Sequence, residues 1–572
     1  MVAAVAAVPL LVAGLRGLAT PWTPVSDQAI EALRMHDVGG RHTPLLGAYS
    51  RLGWRHPGPL LFWVGAPFLR LFGPSGLLLG IATINLAGLM GALAAARRLG
   101  GALLVVPVAA TSAVMMLTLG PVRLVDPWNP HVTYLPLLCF LLCSAAAAEG
   151  GARWPLPAAV VSGSFVAQSH LGAAAPVAAG TLGAVAWWWS TRADDAALPR
   201  PWRSGLLAVG LWSGPLVDQV AGRHNLTDLA TFFLKGDEGR PTLQEALAAG
   251  ARELGVRPAW AGSTESGVLA RVAPAPIWML VASAALLAAA WFGARWAGDR
   301  VARRLVAYVG WLGVASVAAI TRTTDGLLAY VLRWTWPIGA LGAACLAFVA
   351  ARALSTRPSA VAANTGRPRA YSAALVATGA VVTGVVALAA TVNVARTDLR
   401  PDARNSEAAE VLSEGVRDRV PVGRYGLAWQ DPVPFAGVPQ SVGMELVRHG
   451  YDVVFPSSEA YAVDVHRTGT APGRPTLVVI GRNRRASWEA PNGARRIAAY
   501  RPLSSAQERR RAQLEASVRA EASRPAGPIK AGPLLAPGLV DDGADPSEVR
   551  RLGELQLETA YDVWLVPPVA QN

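Results

Sequence analysis

The chain has 572 residues, of which 52% are hydrophobic and only 16% charged, where a soluble protein would carry about 25% charged residues. Its formal net charge of +14 raises nucleic-acid binding, but the arginines sit in short loops between apolar runs and in the tail, without the basic stripe such binding needs, so no nucleic-acid partner is expected. Cys139, Cys143 and Cys345 all lie inside apolar runs, and no His or further Cys completes a four-ligand set, so they read as packing residues.

In chain order the predicted spans are 2–19, 75–96, 101–120, 132–148, 156–170, 172–190, 205–221, 274–296, 304–320, 327–351 and 371–392. Most approach the ~20 residues that cross a bilayer, and 156–170 is the shortest. Residues 59–72 form one further apolar run, of a length typical of interfacial segments. With 59–72 on the membrane surface, Arg97, Arg98, Arg153, Arg192, Arg200, Arg203 and the arginines of 295–304 and 352–369 share one side. The positive-inside rule makes that side the cytoplasm. The other side receives 20–57, 121–131, the turn at His170–Leu171, 222–273, 321–326 and the tail. The fold class expected is an α-helical polytopic cell-membrane protein with about eleven transmembrane helices over 1–392, followed by a small soluble α/β domain, 393–572, outside the cytoplasm.

The tail reads as helix around 406–418, strand 425–430, helix 437–449, strand 451–456 and strand 475–481, from short β-branched runs alternating with helical periodicity. A charged helix follows at 503–524, and 525–548, rich in Pro, Gly and Asp, reads as loop.

Five polar clusters fall on the non-cytoplasmic side of this path. After the first span, Ser26 can cap an amphipathic helix in which Asp27 sits near the N-terminus; Asp27 reads either as a functional carboxylate or as an ordinary helix-start acid. Arg55 and His56, between Trp54 and Pro57, face lipid phosphates as ligands or as membrane anchors. Asp126-Pro127-Trp128-Asn129-Pro130-His131 is a rigid turn whose prolines a structural role explains, but whose three polar side chains it does not. Gln168-Ser169-His170 joins two apolar runs with almost no loop, placing an imidazole at the mouth of the bundle or making it a hydrogen-bonded structural group. Arg322 opens the short turn 321–326, and Arg333 lies inside the next apolar run, as snorkelling side chains or as a pair for a phosphate.

An Asp in an amphipathic segment after the first span, an interfacial helix, about eleven spans and a soluble C-terminal domain together resemble the GT-C superfamily of polyprenyl-phosphate-sugar-dependent membrane glycosyltransferases, including its actinobacterial members. The resemblance covers 1–392 by architecture and Asp27 by motif. It implies an inverting transferase that moves a sugar from a polyprenyl-phosphate donor to a glycan, lipid or protein acceptor at the bilayer. Asp27, Asp126 and His170 would be catalytic, with Asp27 the general base. His56, Arg55, Arg322, Arg333, His131, Asn129 and Gln168 would bind the donor. Many members carry a paired acidic motif where this chain has Ser26-Asp27 and then Glu31, so no metal ligand is assigned and a divalent metal stays open. Two other classes fit parts of the pattern: a transporter or flippase of lipid-linked sugars, and a noncatalytic membrane protein whose tail binds cell-wall polymer.

The path makes a direct topological prediction. An alkaline-phosphatase reporter fused after residue 400 is active if the loop-charge bias sets the orientation, and an active cytoplasmic reporter at the same junction contradicts it.

Overall fold

A computed structural model describes residues 1–50, 52–191, 201–235, 239–262, 270–324, 326–356, 369–430, 437–481, 488–521, 545–557 and 559–568. Asp325, Arg192, Arg200 and most of the predicted loop 525–548 lie outside these residues. The chain divides into two compact units, one of Met1–Pro21 with Arg34–Pro401 and one of Trp22–Leu33 with Asp402–Asn572.

The first unit is helical. In chain order it contains α1 (Val2–Leu18), the end of α2 (Ser26–Asp37), α3 (Leu60–Phe72), α4 (Ser75–Gly100), α5 (Ala102–Leu119), α6 (Tyr134–Glu149), α7 (Pro155–Ser169) and α8 (Ala174–Thr191). There follow α9 (Pro201–Leu211), α10 (Ser213–Ala221), α11 (Asn225–Lys235), α12 (Leu243–Leu254), α13 (Trp278–Trp296), α14 (Arg300–Ile320), the single turn α15 (Ala329–Leu332), α16 (Thr335–Thr356) and α17 (Arg369–Arg396). Among the described residues, eight helical segments are long and apolar enough to cross a membrane, so the protein is a multi-pass membrane protein. The remaining predicted spans are α1 and α7, at 17 and 15 residues, and the run 205–221.

That last run is not one helix. It is broken at Trp212 into α9 and α10. Pro215 lacks an N–H and its ring crowds the carbonyl of Leu211, which therefore has no helical donor. Gln168 supplies one, its Nε2 donating to Leu211 O at 2.9 Å. The predicted loop 222–273 likewise contains α11 and α12. The second is announced by a capping box that the sequence reading passed over: Glu245 N–H donates to Thr242 Oγ1 at 3.2 Å, and Thr242 N–H to Glu245 Oε2 at 2.8 Å.

The span containing α6 is wholly enclosed by the other helices. α4 approaches it backbone to backbone, because a Cβ on Gly88 would stand 2.7 Å from the carbonyl carbon of Leu135. Phe140 of α6 fills the space left by Gly163 of α7 and Gly180 of α8. Two glutamates inside this unit are paired. Glu149 accepts from Trp187 Nε1 at 2.8 Å and faces Arg304 at 3.3 Å. Buried Glu253 accepts from Thr335 Oγ1 at 2.9 Å and from Trp336 Nε1 at 2.7 Å.

The second unit is built on a five-stranded sheet of β1 (Arg424–Gln430), β2 (Asp452–Val454), β3 (Thr476–Gly481), β4 (Arg495–Tyr500) and β5 (Tyr561–Val566), in the order β2-β1-β3-β5-β4. β1 runs parallel to β2 and β3, while β5 is antiparallel to β3 and β4. Helix Val438–Arg448 connects β1 to β2, and helix Ala403–Arg417 packs on it and on β4. The predicted helix 503–524 is Ser505–Glu521. A further helix, Pro546–Leu557, begins inside the stretch read as loop.

The N-terminal segment Trp22–Leu33 packs into this unit. Thr23 N–H donates to Ser406 Oγ at 3.0 Å, and Ser441 Oγ donates to Pro24 O at 2.5 Å. Gly437, at φ 65°, leaves the space that Ser26 occupies: a Cβ there would lie 2.1 Å from the Ser26 backbone. Ser26 itself is the first residue of α2, at φ 53°.

Candidate active site

In the first unit, four connecting segments bring imidazoles and guanidinium groups together. The loop before α3 doubles back on itself, with His56 N–H donating to Ala48 O at 2.8 Å and Gly47 N–H to His56 O at 3.0 Å. Its backbone is held from outside by Asn225, whose Oδ1 accepts from Arg55 N–H and whose Nδ2 donates to Arg55 O, both at 3.0 Å. Asp218 in turn accepts from the N–H groups of Asn225 and Arg223, each at 3.0 Å. Gly58 is required here, since a Cβ would lie 2.1 Å from Gln168 Oε1.

His56 Nδ1 accepts from Leu171 N–H at 2.9 Å, so the neutral ring carries its proton on Nε2. Burial, and then the neighbouring His170 imidazole, hold His56 well below the ordinary histidine value of 6.5. The two rings lie 5.2 Å apart. His170 ends α7 in extended conformation, is 8% exposed, and has no hydrogen-bond partner on either ring nitrogen among the described residues. Gln168 Oε1 and Ser169 Oγ beside it are likewise buried without partners.

The loop between α5 and α6 supplies the third imidazole. Gly120 ends α5, and Asn85 Nδ2 ties the loop to α4 by donating to Leu124 O at 3.0 Å. Asp126 Oδ1 accepts from Trp128 N–H at 3.0 Å, and Oδ2 lies 2.8 Å from His131 Nδ1. The carboxylate therefore fixes the His131 proton on Nδ1 and turns Nε2 into an acceptor. Asn129 Nδ2 donates to Ser169 O at 2.9 Å, joining this loop to the end of α7. Trp128 meets His131 edge to face, at 4.9 Å, and Tyr330 at a tilt, at 5.0 Å.

Arg333, between α15 and α16, is 3% exposed, and its Nε has no hydrogen-bond partner among the described residues. Its guanidinium lies 5.6 Å from the Trp336 ring, a cation–π contact. Arg333 and Arg123 both act electrostatically on His131, and His131 on His170. The unit thus gathers His56, Gln168, His170, Asp126, Asn129, His131, Arg123 and Arg333. The guanidinium groups and N–H donors of this set fit an anionic oxygen group, while Asp126 orients His131.

Of the remaining predicted residues, Arg55 is buried and contributes its backbone to the Asn225 clamp. Arg322 is exposed just past the end of α14, and no hydrogen bond or ion pair among the described residues ties its side chain to the cluster. Asp27 belongs to the second unit, half-buried on the first turn of α2, within electrostatic reach of Tyr461. Among the described residues, no three His, Cys, Asp or Glu side chains come together as a metal site. Sequence reasoning missed Arg123 and Asn225. Arg123 stands three residues before Asp126 in a loop already singled out, and that was a usable signal.

Neither a family model nor a curated protein matches the chain. Among solved structures it is similar to ArnT from Cupriavidus metallidurans bound to undecaprenyl phosphate, with a TM-score of 0.46 and 15% identity, covering 86% of this chain and 94% of that one. The apo state of the same protein gives a TM-score of 0.43 and 16% identity, over 85% of this chain and 94% of that one.

The neutral His56 has a measurable consequence. Unfolding exposes a ring that takes up a proton below pH 6.5, whereas the folded ring stays neutral to lower pH. The His56 contribution is therefore full above that value and is lost as pH falls. Replacing His56 by Gln removes up to about 1.4 kcal/mol per pH unit from the slope of stability between pH 6.5 and 5. Denaturation of the detergent-solubilised protein across this range checks it, and parallel pH profiles for the two proteins contradict it.

Proposed function

We propose that the protein is an integral membrane glycosyltransferase that moves a sugar from a polyprenyl-phosphate donor to an extracytoplasmic glycan, lipid or protein acceptor. The observation that carries this reading is the pair His170 and Arg333, buried in a membrane unit with nitrogens that no described residue satisfies. Leaving such groups unpaired is costly, and an anion entering from the bilayer would satisfy them. A lipid-linked phosphate is that kind of anion. His56 Nε2–H adds a neutral donor, and Arg123 a second cation.

In the reaction, an acceptor hydroxyl oxygen bonds to the sugar C1 as the bond from C1 to the phosphate oxygen breaks. The lipid phosphate leaves with that electron pair, and Arg333 stabilises its charge. The hydroxyl proton passes to a base. We assign this role to Asp27, following the GT-C resemblance, with inversion at C1. A second reading is favoured by one distance: Asp126 holds His131 Nδ1 at 2.8 Å, which leaves Nε2 to accept the proton. The C-terminal domain is assigned to the extracytoplasmic side on the loop-charge bias.

Transfer from a radiolabelled polyprenyl-phosphate sugar, in membranes at matched expression, separates the two bases. Asp27→Asn lowers turnover by about 10²–10⁴-fold and spares donor binding. Arg333→Ala weakens donor binding, and Arg333→Lys restores it only in part because the planar fork is lost. Wild-type turnover in Asp27→Asn, with loss in His131→Asn, moves the base to His131. A wild-type protein that transfers sugar from no such donor removes the transferase reading.

A further inference from the structure

The second unit contains a groove of about 700 Å³, a volume in the range of small-molecule sites. Three helices line it, each with a polar pair one turn apart. These pairs are Arg404 and Glu407, Gln507 and Arg510, and Arg551 and Glu554. Residues three apart on a helix share a face, so each helix turns its pair to the same space. Tyr500, Arg501 and the buried Leu503 and Leu514 also line it.

The four arginines are not equivalent. Arg501 is fixed in the wall: it donates to Tyr561 O at 2.7 Å and pairs with Asp562 at 2.5 Å. Arg510 and Arg551 form no hydrogen bond or ion pair with any described residue, although Glu407 and Glu554 line the same groove. Gln507 uses its Oε1 to cap its own helix, accepting from Ser504 N–H at 2.9 Å, and this leaves Nε2 as a donor.

We infer that this groove binds an anionic carbohydrate, with its acidic group on Arg510 and Arg551 and its hydroxyls on Glu407, Glu554 and Gln507. The composition selects against the alternatives. A bare polyanion would meet two carboxylates, whose repulsion a hydroxyl-bearing ligand converts into hydrogen bonds. Asp545 lies within electrostatic reach of Arg551, but a neutral sugar would offer neither guanidinium fork an oxyanion to hold. A carboxylated and a phosphorylated sugar share the required chemistry, a planar or tetrahedral oxyanion that a guanidinium fork can hold. The inference does not rest on the transferase reading, because it concerns binding alone.

The test is equilibrium binding to the full-length protein in detergent, by calorimetry. The probes are tetragalacturonate, the neutral galactose tetramer, glucose 6-phosphate, glucose and inorganic phosphate. Binding of tetragalacturonate or of glucose 6-phosphate is expected, at least about tenfold tighter than the matching neutral sugar and weaker at high salt; whichever acid binds more tightly names the source of the anion. The Arg510→Gln, Arg551→Gln double variant should lose at least about tenfold in affinity with an unchanged melting profile, since both side chains are exposed. Glu407→Gln should lower affinity for the acidic sugar, which loses a hydroxyl acceptor, and raise it for inorganic phosphate, which loses a repulsive carboxylate. Three results overturn the inference: a neutral sugar that binds as tightly as its acidic form, inorganic phosphate that binds more tightly than either acidic sugar, or a double variant with wild-type affinity. Absence of binding by every probe overturns it as well.

Discussion

Burying a guanidinium and three imidazoles at the ends of membrane-spanning helices costs free energy, and the loops of the first unit are arranged around that cost. Arg333 is offset partly by the face of Trp336, and His131 by the Asp126 carboxylate. His56 is offset by giving up its charge and accepting from a backbone N–H. Among the described residues His170 has neither a carboxylate nor a backbone partner. In a low-dielectric setting an unsatisfied polar group is more costly than in water, so a residue left in this state marks where a ligand would repay the fold.

Several departures from regular structure make this arrangement physically consistent. The break at Trp212 looks like a defect in a span, yet it frees the Leu211 carbonyl for Gln168. Gln168 sets the end of α7, against which Gly58 lies without a side chain. Asn225 holds the Arg55 backbone, and so the loop that carries His56. Each tie links segments far apart in sequence, and each uses a backbone group that a membrane would otherwise leave unpaired.

Much of the frame could be read from the chain. Long apolar runs gave α4, α5 and α6 because length and hydropathy are local properties. The Asp126–His131 and Gln168–His170 clusters were visible because polar side chains between apolar runs are rare. What stayed hidden depends on distant partners. Nothing near Asn225 marks it as a clamp for Arg55, and nothing near Trp22–Leu33 marks that segment as packing with Ser406, Gly437 and Ser441. The edge strand β4 carries Arg495 and Arg496 and so lacks an apolar signature, although it pairs with β5. Helix Pro546–Leu557 was obscured by the Pro/Gly/Asp-rich stretch before it, but Asp545 accepts from Ser547 N–H at 2.7 Å and Pro546 stands at the first position, both helix-start signals.

The central claim is that the imidazole and guanidinium cluster of the first unit receives a lipid-borne phosphate. Photocrosslinking tests it most directly, with the purified protein and a short polyprenyl phosphate that carries a diazirine beside the phosphate. Mass spectrometry of the labelled peptides should place adducts at the end of α7, around Gln168–Gly172, and at the start of α16, around Arg333, and unlabelled polyprenyl phosphate should compete them away. Adducts confined to other helices, or labelling that the competitor leaves unchanged, would contradict the account.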